Sequence, residues 1–242
     1  ADRHALGRVD LDEARRRLMP SPEDWDHGSP LNVKEARRMT TGVHRGEAEH
    51  KYSYAAVFAE TPAYGWSSTR ENVGIWIINP SLEYLAGGPT KLELTGHLDV
   101  NPGGKPTLLN MWLGSHYGGS AFSVARDEVW RKVIGPFLIY CNSLPGAAGN
   151  PPTSATADAV QRRLWQDALA RAASEAQRWP YAWLRHPDYP LAEGRSTVTG
   201  QLALRDALSP GQQLTNAWIG LTAPDYAPAQ GNYERNGFPR LV

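Results

Sequence analysis

The sequence predicts a mainly β protein of the sandwich type that carries one helix, and three observations predict it. Short runs rich in β-branched and aromatic residues recur between about 43 and 142, separated by turn chemistry such as Asn79-Pro80, Gly87-Gly88-Pro89 and Asn101-Pro102-Gly103-Gly104. Several strands at that spacing argue for two packed sheets. The 23 glycines and 19 prolines supply the turns such strands need, and the nine tryptophans and ten tyrosines supply flat side chains of the kind common in carbohydrate-active β proteins. Finally, near 158–178 the period changes: Val160, Leu164, Ala168, Ala172 and Ala176 recur at helical spacing, Asp158 can cap the start and Pro180 ends the run.

Taken in order, residues 9–18 predict a short helix, because Asp10 to Asp12 offer caps and the run Glu13 to Leu18 is made of good helix formers stopped by Pro20. The proline-bearing stretch from Pro20 to Pro30 reads as loop. Strands are predicted at Lys51 to Phe58, Val73 to Ile78, Lys91 to Leu98, Thr107 to Trp112, Ala121 to Ala125 and Val133 to Tyr140. Small, polar and proline-bearing residues between Gly146 and Ala157 mark a linker ahead of the helix. Beyond it, Thr197 to Leu204 alternates as a strand and Ala217 to Leu221 is a second, which predicts the beginning of a small β unit.

Charge narrows the partners. In a chain of 242 residues, 25 basic residues balance 25 acidic ones, so no cationic surface for nucleic acid or an anionic membrane is expected, and a polyanion would have to be held by a local site. No apolar run approaches the roughly 20 residues that cross a bilayer, and the charged start lacks the apolar stretch of a signal peptide. Cys141 is the one cysteine; internal disulfides and cysteine-rich zinc sites are excluded, and its apolar neighbours predict a buried thiol.

Two residues carry the chemistry. Lys51 lies in Glu49-His50-Lys51-Tyr52-Ser53-Tyr54, where a plain amphipathic strand would place Val or Ile, and His116 lies in the glycine-rich turn Gly114-Ser115-His116-Tyr117-Gly118-Gly119. Elimination across a uronic acid needs its carboxylate neutralised, a base for the C5 proton and an acid for the leaving O4. On a galacturonate ring that hydrogen and that oxygen point to opposite faces, so base and acid are two residues on two sides of the sugar. A lysine serves as base once burial or nearby positive charge lowers its pKa toward about 7–8. The bland readings are a lysine on a strand edge and a histidine hydrogen-bonded in its turn. Other constellations are weaker. His44, His50 and His97 lack the spacing of a zinc helix, and no catalytic metal is expected. Gly65-Trp66-Ser67-Ser68-Thr69 lacks the frame of a nucleophile elbow. Asp24, Asp26, Glu83 and Asp99 offer glycosidase carboxylates without a distance between them. Tyr64, Trp66, Trp76, Trp112 and Tyr117 offer faces on which sugars could stack or with which a core could fill.

The pieces His50-Lys51-Tyr52, Tyr64-Gly65-Trp66, Gly74-Ile75-Trp76-Ile77-Ile78-Asn79-Pro80-Ser81, Gly87-Gly88-Pro89, Gly114 to Gly119 and Lys132-Val133-Ile134-Gly135-Pro136-Phe137, in that order, resemble the rhamnogalacturonan lyases of polysaccharide lyase family four. The resemblance is dense from 43 to 142 and resumes at Trp179-Pro180-Tyr181 and Arg195-Ser196-Thr197-Val198-Thr199-Gly200. It implies a β-super-sandwich similar to galactose mutarotases, of which 1–190 would be the C-terminal part, followed over 191–242 by the start of a fibronectin-III-like unit. It also implies a secreted endolyase acting on rhamnogalacturonan I, a pectic polysaccharide, with Lys51 as base and His116 as acid. Substrate contacts would fall to Tyr64, Trp66, Trp112 and Tyr117, with Arg3 or Arg8 in the place of the family's binding arginine. Calcium would take no part in the chemistry, which leaves room for a structural calcium. Two rival readings stand beside it: a catalytically silent carbohydrate-binding protein on the same fold, and a sugar epimerase, which would need a histidine and carboxylate pair.

Overall fold

The structure, a computed structural model, describes residues 4–10, 13–33, 35–50, 54–58, 60–68, 70–83, 92–98, 105–112, 126–127, 129, 131–145, 154–213, 222–223 and 240–241. Among these it is mainly β, with every sheet antiparallel and one long helix. The chain runs β1 (His4–Asp10), β2 (Glu13–Leu18), α1 (Pro22–His27), β3 (Ser29–Leu31), β4 (Ala36–Arg38), β5 (Ala48–His50), β6 (Ala55–Val57), β7 (Ala63–Ser68) and β8 (Val73–Ile78). It continues through β9 (Leu92–Leu94), β10 (Gly96–Leu98), β11 (Pro106–Leu108), β12 (Leu138–Ser143), α2 (Ser154–Arg178), β13 (Thr222–Ala223) and β14 (Arg240–Leu241). The main sheet has the order β12-β8-β7-β1-β2, beside a three-stranded sheet β3-β4-β5 and the pairs β6-β9, β10-β11 and β13-β14.

The main sheet is organised by the period of two that a half-covered strand imposes. On one face Ala63, Trp76 and Ile78 are buried against Leu164, Ala168 and Ala172 of α2, with Leu138 and Tyr140 packed at the margin. On the opposite face Tyr64 and Ile77 pack with Phe58 and Trp112. The predicted helical stripe is thus the buried stripe through Ala172, but its last place is taken by Glu175, while Ala176 is exposed. The helix starts at Ser154 rather than at Asp158, whose carboxylate pairs with Arg162 one turn on, at 3.0 Å.

Glu175 explains where the chain turns after the helix. Its buried carboxylate accepts from the Tyr181 hydroxyl at 2.5 Å and pairs with Arg171 at 2.7 Å and Arg178 at 3.0 Å. The tyrosine's hydrogen bond holds the carboxyl below its ordinary value of 4.5, aided by both arginines and opposed by burial; burial, then that same bond, pushes the tyrosine up. A carboxylate with a depressed folded pKa adds stability above its unfolded pKa and loses it as pH falls through the folded value. Glu175→Gln is therefore expected to lower stability at pH 7 by about 1–3 kcal/mol. The deficit should shrink on acidification below 4.5. Denaturant midpoints measured across that range check this, and a gap between the two proteins that is unchanged down to the acid end would refute it.

Several expectations are corrected. The described residues of 9–18 are strand, not helix: β1 and β2 pair with each other, and His4 and Ala5 pair with Ser67 and Trp66 of β7, so sheet pairing overrides local propensity. The loop predicted around Pro22 holds α1, because Pro22 stands at the first helical turn, where its missing N–H costs nothing, and the Ser21 hydroxyl accepts from the Asp24 amide at 3.0 Å. The strand expected over Lys91 to Leu98 breaks at Thr95, whose amide and hydroxyl, with the Gly96 amide, all reach the Tyr54 carbonyl, so the chain changes partner from β6 to β11. Of the segment Thr107 to Trp112 only β11 is strand. The strand expected at Val133 to Tyr140 lies at Leu138–Ser143, in register with β8 from Leu138 opposite Ile78 to Ser143 opposite Val73. Cys141 is exposed rather than buried: β12 is an edge strand, and the alternation gives the helix side to Tyr140 and Asn142. Thr197 to Leu204 forms no strand with any of the described residues, and Val198, Leu202 and Leu204 are exposed. The strands expected at Ala121 to Ala125 and Ala217 to Leu221 lie outside the described residues.

Candidate functional site

Lys51, His116, Tyr117 and Arg3 lie outside the described residues, and Arg8 has no described side chain. A segment that follows the first of these and one that precedes the second are described, and one hydrogen-bond relay joins them. Tyr54, three places after Lys51 in the chain, offers its carbonyl to the Thr95 amide at 2.9 Å and the Thr95 hydroxyl at 2.9 Å. The Thr95 carbonyl accepts from the Leu109 amide at 2.9 Å. The Tyr64 hydroxyl donates to the Leu109 carbonyl at 2.8 Å and shares the Asn110 Oδ1 at 2.9 Å. Asn110 in turn exchanges amide hydrogen bonds with Asn79, at 3.1 and 3.2 Å, just past the end of β8. Tyr54 after Lys51, Leu109 and Asn110 ahead of the sequence Gly114 to Gly119, and the exit of β8 are one polar frame. Buried hydrogen bonds of this kind are costly to leave unmade, so the frame fixes the spacing of its three segments.

That frame changes the reading of two aromatics. Tyr64 is fully buried, stacked on Phe58 at a centroid distance of 5.7 Å, and its hydroxyl is spent within the relay. It braces the frame and, being fully buried, offers no face to a sugar. Trp112 is likewise buried, tilted against Phe58 at 6.1 Å. Trp66 differs: it is half-buried, edge-on to Tyr54 at 5.2 Å, and lines a cleft of about 530 Å³ on the sheet face opposite α2. Val73, Ile75, Cys141, Met19 and Pro106 complete most of that cleft's described wall, in which Cys141 is the only titratable residue. The Trp66 indole N–H is buried without a hydrogen-bond partner. Among the described residues the cleft can hold an apolar or stacked ring, but it supplies no acid and base.

Two of the four candidate glycosidase carboxylates, Asp24 and Glu83, have structural employment. Asp24 accepts from the Ser21 and Thr41 hydroxyls at 2.7 and 2.6 Å, bonds that hold it below the usual carboxylate range, Thr41 most strongly. Glu83 pairs with Arg195. Asp99 lies outside the described residues. A second cluster escaped the sequence reading: Asp167 on α2 accepts from the Tyr140 hydroxyl at 2.7 Å and from the Asn142 amide at 2.8 Å, while Asn142 also donates to the Leu164 carbonyl and accepts from the Trp76 indole at 2.7 Å. The Asn142 and Tyr140 bonds hold the aspartate low, and the same contact pushes the tyrosine up. This cluster fastens the helix to the edge strand. Only the alternation of Tyr140 and Asn142 hinted at it.

The fold and this frame define a mainly β protein, built of antiparallel sheets and one long helix among the described residues, in which a polar brace ties Tyr54, Thr95, Asn110 and Asn79 together. Compared with known proteins, the chain matches no protein-family model and no curated protein.

Proposed function

We propose that the chain is the catalytic portion of a rhamnogalacturonan lyase, secreted and acting on the backbone of rhamnogalacturonan I. The observation that carries the reading is the relay from Tyr54 through Thr95, Leu109 and Asn110, which ties the segment after Lys51 to the segment before His116. Residues that must work on opposite faces of one sugar need their chain segments held at a fixed separation, since misplacing a group by about 1 Å can cost a hundredfold in rate. In the finer fold this reading carries, the sheets belong to a super-sandwich and residues after about 190 begin a fibronectin-III-like unit.

The proposed reaction is an elimination. The neutral Lys51 amine takes the C5 proton, the electron pair forms the C4–C5 double bond, and the C4–O4 bond breaks as His116 gives a proton to the departing oxygen. The products are a rhamnose end and an unsaturated uronate. No metal enters these steps, and a structural calcium is compatible with them. Digestion of rhamnogalacturonan I should raise the ultraviolet absorbance of the conjugated uronate, and Lys51→Ala should lower that rate by at least about a hundredfold, the lower range for a positioned proton-transfer group. Full activity in the variant would remove Lys51 from the mechanism.

One observation favours a second reading, a carbohydrate-binding protein without catalysis: the open cleft at Trp66 has an apolar wall on which a sugar ring could stack and no acid–base pair among its described residues. Quenching of tryptophan fluorescence by rhamnogalacturonan oligosaccharides, with no rise in absorbance, would select it.

A further inference from the structure

Arg195 is the most enclosed cation of the described chain after the long helix. Its guanidinium lies 4.3 Å from the ring centre of Trp179 and 5.6 Å from that of Tyr189, its Nε donates to the Pro190 carbonyl at 2.9 Å, and its Nη1 pairs with Glu83. Both side chains of the ion pair are only 18% exposed. The cage is itself fixed: the buried Tyr189 accepts from the Tyr181 amide at 2.8 Å, and the Tyr181 hydroxyl is held by Glu175 on α2. Glu83 comes four residues after Asn79, which is bound to Asn110 just past β8. The loop after β8 is therefore gripped twice, by the relay at Asn79 and by Arg195 at Glu83, immediately before the chain runs on to Gly87-Gly88-Pro89. A planar guanidinium stacked between rings and pinned by a carboxylate is geometrically specific in a way that a lysine cannot reproduce.

We infer that Glu83 and Arg195 form a latch that makes the segment from Trp179 to Arg195 part of the site's framework, with Arg195 a positioning residue for the loop after β8. The segment reaches the stretch after β8 through Glu83, four residues from the Asn79–Asn110 pair, so the first structural unit extends through Arg195 rather than ending near 190. The kinetic consequence rests on the lyase reading; the mechanical one does not.

The test uses this chain with Arg195→Lys, Glu83→Gln and the double variant, each checked for a cooperative thermal transition. On rhamnogalacturonan I each single variant should lower kcat by about tenfold to a hundredfold with KM nearly unchanged, the mark of lost positioning. The double variant should be no slower than the poorer single one, because the two residues act as one contact. In parallel, chymotrypsin cleavage within 179–195 should speed up by about tenfold or more in Glu83→Gln, since cleavage follows the open population. Unaltered kcat in both folded single variants overturns the positioning role. Unaltered cleavage overturns the latch. A wild-type chain that makes no unsaturated product sinks the lyase reading alone and leaves the latch to be judged by proteolysis.

Discussion

Gly65→Ala is expected to be the most damaging single-methyl addition in the described sheet. Gly65 lies on β7 opposite Trp76 of β8, and a Cβ there would overlap the Ile75 carbonyl oxygen and stand 2.8 Å from the Trp76 Cα. Those neighbours are backbone atoms of a paired strand, which cannot swing aside as the end of a side chain can. Overpacking typically costs about 1–3 kcal/mol when side chains absorb it. Here the ladder itself must shift, so a loss of about 3 kcal/mol or more is expected. Gly200→Ala is the control: nothing stands within 4 Å of the added methyl, and its effect should stay within about 0.5 kcal/mol. Chemical denaturation of both variants decides it. Equal midpoints for the two would mean that β7 and β8 do not approach as described.

Trp76→Ala should remove about 3–5 kcal/mol, the cost of truncating a buried indole. Trp76 is fully buried at the centre of the cluster that joins β8 to Leu164 and Ala168 of the helix, and its N–H donates to Asn142 Oδ1. Trp76→Phe separates the two contributions: most of the packing is kept, but the Asn142 oxygen loses its donor, a penalty of about 1–3 kcal/mol if water cannot reach it. Because Asn142 also holds Asp167 and the Leu164 carbonyl, the helix should loosen from the sheet first. Hydrogen exchange along 157–172 would report that loosening. Helix amides that stay as protected in Trp76→Ala as in the wild type would show that the indole does not anchor α2.

The parts of this architecture that were legible in the sequence are those that own their signal. Val73 to Ile78 reads as a strand and is one, with the same limits, since a β-branched run between turn residues has few alternatives. The helix read out through Leu164, Ala168 and Ala172, because an apolar stripe at helical period has to face a core. Residues 9–18 and Thr197 to Leu204 failed for one shared reason. A strand is completed by a partner distant in the chain, so good helix formers can be drawn into a sheet, and a well-alternating segment can find no partner among the described residues. Of the site, the aromatic residues were visible but their roles were not. Tyr64 and Trp66 are two places apart on one strand face, yet one is sealed over by Phe58 and Trp112 and the other borders a cleft.

By itself the sequence determined the mainly β character, the long helix after the strands, the balanced charge and the residue types from which a lyase mechanism can be argued. The tertiary structure alone decided that Tyr54, Thr95, Asn110 and Asn79 form one brace, that Glu83 and Asp24 serve as structural carboxylates, and that Arg195 closes on Glu83. Hydrogen bonds and ion pairs between segments far apart in the chain leave no period and no spacing to read. Only the folded backbone brings their atoms within reach.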